Sequence, residues 1–462
     1  MVRRAARSQT RTVNAFPEPA IRSSVFFIPT NRDCSRAATG YLAELDFARE
    51  LFGRAIPLVV SETDQGPHAR ANAAALARLA RANPDQPVHH LTAELQRDYF
   101  GRLLGGEPAA VRDPFLSPRR DYGTAMNKLF LMTASFGADA LHRRDSDTRP
   151  LGEEVPEAAG RHPIEVELSH LGRRVGEVRA AGGVDEPDDV DAAVLDRRIH
   201  VVGGNYSGEW NLDVKDFARR SYRIVHRLYE ILGFDPDGVP ALVDEVFPAE
   251  QAHDARDART LLLAPNGGAN PDCGNVAVTG IHELLPNVPA RNSLAVDYFG
   301  FDVALALGVP ALHHTRAVFH EYHSGRFDPG QKLLYWEGVA RFADYFTSYG
   351  PLFEPGAVGR AGAAEPVPAS ARAALVRAVG ALPGSDHAPR AARIRALAEE
   401  VLIPFDERYA RVGEHLAAHA DRYVREADED YAAHRLLLER WPDLVERARG
   451  LDLAAIAPPL RP

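Results

Sequence analysis

The sequence predicts an α/β protein, a mixed and mostly parallel sheet flanked by helices, with a C-terminal helical extension. Three observations predict it. Short apolar runs rich in strand formers alternate with stretches of helical spacing through the first 150 residues, the pattern of a sheet covered by helices. The runs are apolar throughout, as expected of strands buried on both faces. Beyond about residue 370 strand-like runs stop and helical periodicity takes over.

The elements follow in order. Residues 1–22 carry Arg3, Arg4, Arg7 and Arg11 without an apolar core, so they read as a flexible arm and not a secretory signal. Ser24-Val25-Phe26-Phe27-Ile28-Pro29 is the first strand, followed by helical spacing from Gly40 to Phe52. Ile56 to Val60 is a second strand running into Ser61-Glu62-Thr63-Asp64, and Ala69 to Ala82 a second helix. A helix from about Thr124 to Phe136, closed by Gly137, precedes a strand, Ala140 to Arg144, that runs into Asp145-Ser146-Asp147. Residues 150–196, rich in Gly, Pro and acidic side chains, read as an excursion from the sheet with one strand-like piece, Ile164 to Leu168.

Strand pattern returns at Ile199 to Val202, then a Gly-rich loop from Gly203 to Trp210 and a helix from about Val214 to Leu232. Several short strands and a helix, Asp297 to Leu307, fall between Pro265 and His323. A linker from about Glu354 to Ser370 leads to helices at Ala392 to Val401 and Tyr409 to Leu438. The expected organisation is a main domain over 23–350 and a helical region over 371–462 that serves packing or homo-oligomerisation.

Composition narrows the function classes. Apolar residues make up 45% and charged residues 26%, which excludes disorder over most of the chain. A net charge of −10, with no basic cluster interleaved with aromatics, repels nucleic acid. Lys occurs only at 128, 215 and 332 while Arg and Ala abound, the mark of a GC-rich, actinobacterial-type genome. Cys34 and Cys273 offer neither metal spacing nor a disulfide framework. No window reaches the roughly 18 to 20 apolar residues of a membrane span. A soluble, cytoplasmic protein without a membrane partner is the expectation.

The acidic triplet Asp145-Ser146-Asp147 carries the chemistry. Two carboxylates separated by one residue at the carboxyl end of a strand suit a divalent cation, Mn²⁺ or Mg²⁺, that neutralises a diphosphate. The histidines at 313, 314, 320 and 323 cluster, yet His320-Glu321-Tyr322-His323 is not His-Glu-x-x-His, and on a strand 320 and 323 face opposite ways. Single ligation by His320 or His323 is the reading, against a structural histidine. Asp297 opens a helix, where a carboxylate stabilises the helix dipole. In the Gly-rich stretch after the strand Ile199 to Val202, Asn205 and Trp210 read as an acceptor or sugar pocket wall, with Trp210 as a stacking platform.

The order of motifs resembles DXD-type, family-2-like glycosyltransferases of the GT-A fold. It runs Ile28-Pro29-Thr30-Asn31-Arg32, Glu62-x-Asp64, Asn127 on a helix, Asp145-x-Asp147, Gly274-Asn275-Val276-Ala277-Val278, Asp297-Tyr298-Phe299-Gly300 and Val318-Phe319-His320. The resemblance implies that Pro29, Thr30, Asn31 and Arg32 lie at base and ribose, with Glu62 or Asp64 at the base edge. It implies nucleotide contacts from Asn127, Arg144, Asp145 and Ser146, and metal ligation by Asp147, Asp145 and His320, with His323 the competitor. It places Gly274 and Asn275 on the acceptor side, and Asp297 where inverting members keep a general base, although Val296 stands where those members carry Glu.

The implied activity is transfer from a UDP- or GDP-sugar to a small-molecule acceptor, in natural-product assembly, on oxygen or, as in lincosamide pathways, on sulfur. Two alternatives stand beside it. One is a nucleotidyltransferase, disfavoured because Thr30-Asn31-Arg32-Asp33 is not a Gly-rich phosphate loop. The other is a non-catalytic scaffold that retains the sheet.

Overall fold

A computed structural model describes residues 19–63, 65–151, 160–185, 190–208, 214–234, 236–240, 257–264, 271–321 and 328–461. Four parallel strands build its first half: β1 (Ser24–Thr30), β2 (Leu58–Glu62), β3 (Val88–Leu91) and β4 (Ala140–Arg144). They lie in the order β3-β2-β1-β4. The second half adds β5 (Thr148–Pro150), β6 (Val201–Gly208), β7 (Arg259–Leu262), β8 (Asn275–Thr279) and β9 (Ala311–His320).

The sheet continues from β4 through β8, β6 and β9 to β5. β8 runs antiparallel to both β4 and β6, whereas β6 and β9 are parallel. The far side of β9 is shared, with β7 against Ala311–His314 and β5 against Val318–His320, both antiparallel. Thus β1, β2, β3, β4, β6 and β9 run one way and β5, β7 and β8 the other. This is the mixed, mostly parallel sheet that the sequence predicts.

Strand alternation divides the core between the two faces. Phe26 and Ile28 of β1 pack with Ala38, Tyr41, Leu42 and Leu45 of helix Ser35–Phe52 and Leu76 of helix Pro67–Ala82. Val25 and Phe27 face the other way, onto Leu129 and Phe130 of helix Tyr122–Ser135 and Tyr99 of helix Ala93–Leu103. The crossovers after β1 and β2 therefore cover one face, and those between β3 and β4 the other. Their direction reverses between β1 and β4, and in such sheets ligands bind in the crevice beyond the carboxyl ends of the two strands at the reversal.

The C-terminal helices are part of the same packing. Helix Glu407–Arg449 buries Leu437, Trp441, Leu444 and Ala448 in the cluster that holds Val25 and Phe27. Its N-terminal half buries Leu416 and Tyr423 with Trp336. Beyond it, the Leu460 backbone N–H donates to the Val88 carbonyl at 2.8 Å, and the Ala457 carbonyl bonds His89 Nδ1 at 2.8 Å, so that this segment covers edge strand β3. Among the described residues no helix is long and apolar enough to cross a membrane.

Several elements differ from the sequence reading. Ile164 to Leu168 lies in a helix, Pro163–His170, not a strand. Its alternation of apolar residues with Glu165 and Glu167 mimics a strand, but this helix is buried from Pro163 to Ser169 and its acids are paired within the protein. Gly203 to Gly208 continues β6 and is no loop. A Cβ on Gly203 would stand 2.5 Å from the Asn275 carbonyl and one on Gly204 2.6 Å from His314 Nδ1, so these glycines permit close strand approach. The helix expected over 214–232 is interrupted at Ser221, and the one expected from Asp297 begins as a 3₁₀ turn, Val296–Tyr298, before Phe299–Ala306.

A charged network underlies β4 on the face of helix Ser35–Phe52. Arg144 pairs with Glu44 at 3.0 Å and Glu167 at 2.9 Å, and His142 Nδ1 lies 2.6 Å from Glu167, all fully buried. Burial alone would raise the Glu167 pKa, but the Arg144 guanidinium and His142 override it and hold the carboxyl at about 2. Its contribution to stability is therefore complete above the ordinary value of 4.5 and lost as pH falls toward about 2. Glu167→Gln should lower the unfolding free energy at pH 7 by about 3 kcal/mol in denaturant titration. The variant should also lack the wild type's loss of stability in that acid window.

Candidate active site

Two ion-pair clusters meet at the carboxyl ends of β1 and β4. The first is built on Arg143. Alternation along β4 sends Arg144 to the buried network and Arg143 to the opposite face, beside Met126 of helix Tyr122–Ser135. Arg143 Nη1 donates to Asp297 Oδ2 at 2.9 Å, and its Nε and Nη2 donate to Asp145 Oδ1 at 3.1 and 2.9 Å. Burial opposes the charge on Arg143, but the Asp145 and Asp297 carboxylates more than compensate and raise its pKa further.

The other oxygen of Asp145, Oδ2, accepts from the Tyr206 hydroxyl at 2.8 Å. Tyr206 comes from β6, and its backbone N–H donates to Asp272 Oδ2 at 2.9 Å. Asp272 Oδ1 in turn accepts from the Tyr298 hydroxyl at 2.9 Å. Burial, and then the negative charge of Asp145 and Asp272, push the Tyr206 phenol well above its ordinary pKa. Tyr298 is raised in the same way by burial and Asp272. Both phenols therefore stay protonated and act as donors. Gly274 sits against this contact, where a Cβ would come 2.1 Å from the Tyr206 hydroxyl and 2.5 Å from Asp145 Oδ2.

The second cluster is Arg32, Asp147 and His320. Asp147 lies in the turn between β4 and β5, and the pairing of Thr148 with His320 brings the end of β9 alongside it. The Glu321 backbone N–H donates to the Asp147 carbonyl at 2.8 Å and fixes that register. Asp147 Oδ2 receives Arg32 Nη1 at 2.6 Å and lies 3.6 Å from His320 Nε2. The Tyr206 ring, 5.2 Å from the His320 ring between centroids, joins the two clusters.

Arg32 is presented by a braced loop. Thr30 Oγ1 accepts from the Arg32 backbone N–H at 3.1 Å and donates to its carbonyl at 2.9 Å. Asn72 Nδ2, from the neighbouring helix, donates to the same carbonyl at 2.8 Å and to Glu62 Oε2 at 2.5 Å, while Asn72 Oδ1 accepts from the Cys34 N–H at 2.9 Å. Asn31 is exposed beside it, and Pro29 and Ser146 are half-buried at the strand ends.

Of the residues singled out from sequence, Thr30, Arg32, Asp145, Asp147, Asp297, His320 and Gly274 come together here. Others are placed elsewhere. Glu62, expected at a base edge, is fully buried and holds Asn72. Asn127, expected on the nucleotide, is fully buried and exchanges hydrogen bonds of 2.8 and 2.7 Å with the Asn287 backbone. Arg144 lies on the wrong face of β4 for the site. Asn275 is fully buried, with Nδ2 on the Asn205 and Arg316 carbonyls, and Asn205 Oδ1 bonds His313 Nε2 at 2.8 Å. These amides fasten strands together. Asp64, Trp210 and His323 lie outside the described residues.

A divalent cation fits this site only in part from protein donors. Asp147 and His320 share one spot, but both oxygens of Asp145 are engaged by Arg143 and Tyr206. Among the described residues no group of three His, Cys, Asp or Glu side chains converges on a metal position. Two protein donors suffice where phosphate oxygens and water complete the shell, as is usual for Mg²⁺. Asp147 and His320 are the residues that would hold it.

The chain belongs to a family of unknown function, DUF6271, whose model matches residues 22–457. No curated protein matches it in sequence. Among solved structures it is similar to glucosyl-3-phosphoglycerate synthase from Mycobacterium tuberculosis in complex with Mn²⁺, UDP-glucose and phosphoglyceric acid. That likeness is at 12% identity over 72% of this chain and 81% of that one, with a TM-score of 0.34. It is also similar to a mannosyltransferase from Pyrobaculum calidifontis in complex with GDP-mannose and Mn²⁺, at 12% identity over 92% of this chain and 88% of that one, with a TM-score of 0.35. Likeness at this level transfers neither ligand nor reaction.

The tight approach at Gly274 yields a direct test. Gly274→Ala should force Tyr206 from Asp145 and lower the unfolding free energy by about 1–3 kcal/mol, the usual range for an overpacked site. Tyr206→Phe removes the hydrogen bond without the clash, and its effect on the thermal midpoint should be the smaller of the two.

Proposed function

We propose that this protein transfers a glycosyl group from a nucleoside diphosphate sugar to a small-molecule acceptor. The observation that carries this reading is the convergence of Arg32, Asp147 and His320 with Arg143, Asp145 and Asp297 at the sheet's reversal point. A site for a diphosphate-linked sugar needs counter-charge for the leaving diphosphate next to a carboxylate that can take a proton from the acceptor. The two clusters supply these two functions side by side.

In this reading the Thr30–Arg32 loop lies along the nucleotide and Arg32 hydrogen-bonds phosphate oxygens, a pairing suited to a guanidinium. A divalent cation held by Asp147 and His320 would, when bound, stabilise the charge that develops on the departing diphosphate. Asp145, held by Arg143 and Tyr206, keeps one lone pair of Oδ2 with which to accept a hydrogen bond from the ribose in this reading. Asp297 binds Arg143 through Oδ2, while Oδ1 takes no hydrogen bond among the described residues and is the candidate acceptor of the proton. Arg143 keeps that carboxylate in position against the donor side of the cleft.

Calorimetry or a thermal-shift series with UDP and GDP, each with and without Mn²⁺, tests the reading. Metal-dependent binding of at least one nucleotide is expected, and Asp147→Ala should remove the metal-dependent part. Absence of any nucleoside diphosphate binding would overturn the proposal. Once a donor is identified, Asp297→Asn should reduce turnover by roughly 10²- to 10⁴-fold, the range typical of a lost general base, with donor affinity little changed.

A further inference from the structure

We infer that Arg32 is a built-in plug of the cation position, released by the diphosphate, so that cation and nucleotide bind with strong mutual dependence. The inference rests on the reading of this cleft as a nucleotide-sugar site. Its basis is that one oxygen serves two claims. Asp147 Oδ2 receives Arg32 Nη1 at 2.6 Å and is the same atom that His320 Nε2 faces at 3.6 Å. A divalent cation on that oxygen would sit about 2.0–2.6 Å from it, in the space that the guanidinium fills. Arg32 and the cation therefore exclude one another at Asp147 both by volume and by like charge.

Among the described residues Arg32 has no second carboxylate of equal standing. Both oxygens of Asp145 are engaged by Arg143 and Tyr206, and the other contact of the Arg32 side chain among the described residues is a long bond to Asn31 Oδ1 at 3.5 Å. The backbone of the loop, by contrast, is held from both sides by Thr30 and Asn72. The guanidinium can thus swing while its Cα stays in place. The Arg32 side chain is 29% exposed and that of Asp147 9%, so solvent reaches the guanidinium more readily than the carboxylate it covers. A diphosphate entering the cleft offers the guanidinium several charged oxygens in exchange for one. Withdrawal of Arg32 then removes the guanidinium from Asp147 Oδ2, the oxygen beside His320. By linkage, whatever factor the nucleotide adds to cation affinity the cation must return to nucleotide affinity.

The experiment measures Mn²⁺ affinity by electron paramagnetic resonance, with Mn²⁺ alone and then with UDP or GDP, on the full chain. Wild type should bind Mn²⁺ alone weakly and gain affinity on addition of the nucleotide. Arg32→Gln and Arg32→Ala should bind Mn²⁺ alone at least tenfold more tightly than wild type, and the nucleotide should then add little. Asp147→Ala should abolish Mn²⁺ binding in both backgrounds. Two variants are used because the loop backbone does not depend on the guanidinium, and thermal melts verify that each is folded. Equal affinity of wild type and both variants for Mn²⁺ alone would overturn the plug while leaving nucleotide binding intact. Failure of wild type to bind Mn²⁺ or nucleotide under any condition would instead remove the underlying functional reading, and the plug with it.

Discussion

At the working end of this sheet a buried guanidinium ties the first half of the chain to the second, beside the backbone pairing of β4 with β8. Arg143, 5% exposed, sits on the last parallel strand of the first half and bonds Asp145 on its own chain segment and Asp297 on a helix from the second. A buried guanidinium is tolerated only where good partners satisfy it, and removal of one partner from such an arrangement is far more damaging than the net worth of the pair. The demand fixes the distance between the two carboxylates, and with it the width of the cleft. It also explains why the residue opposite Asp145 is glycine. Gly274 lies where any side chain would displace either Asp145 or the Tyr206 hydroxyl that completes it.

Consecutive arginines on one strand perform opposite tasks. Arg144 is locked between Glu44 and Glu167 beneath the sheet, where nothing from solvent reaches it, and it anchors helix Pro163–His170 to β4. Arg143 faces the cleft. The end of β4 is thus a layer of positive charge with acids above and below, the lower set fully buried and the upper set at the carboxyl end of the strand. The second cluster shares this logic, since Asp147 follows directly from β4 and is clamped to the end of β9 by its own carbonyl.

Much of the fold was legible in the sequence, because apolar strands and helical spacing both leave strong periodic signals. Even so, β3 and the helices that follow it went unassigned, and helix Pro163–His170 passed for a strand because buried glutamates at alternate positions imitate a solvated face. The candidate site was legible in so far as residues from short motifs come together: Asp145, Asp147 and Arg32 lie side by side at the strand ends, and Asp297 and His320 converge on them from afar. The amides were misjudged. Asn127 and Asn275 are polar residues in suitable places, but a lone sequence carries no sign of which backbone groups they satisfy. Arg143 was passed over for its neighbour, although strict alternation from Leu141 would have aimed it at the cleft. Tyr206, Asp272 and Tyr298 could not be found in this way, since only the tertiary fold brings β6, the segment before β8 and the turn Val296–Tyr298 together.

The edge of the sheet has a further bearing on how such a chain comes to be folded. Strand β3 is covered by a segment whose contacts with it span 368 residues of sequence. At a synthesis rate of 5–20 residues per second, the strand waits roughly 20 to 70 s before its cover emerges. For that time it offers open backbone groups to any passing strand, including the same strand of another nascent chain. Yield in the cell is then governed as much by the kinetics of that delayed closure, and by whatever shields β3 meanwhile, as by the stability of the finished protein.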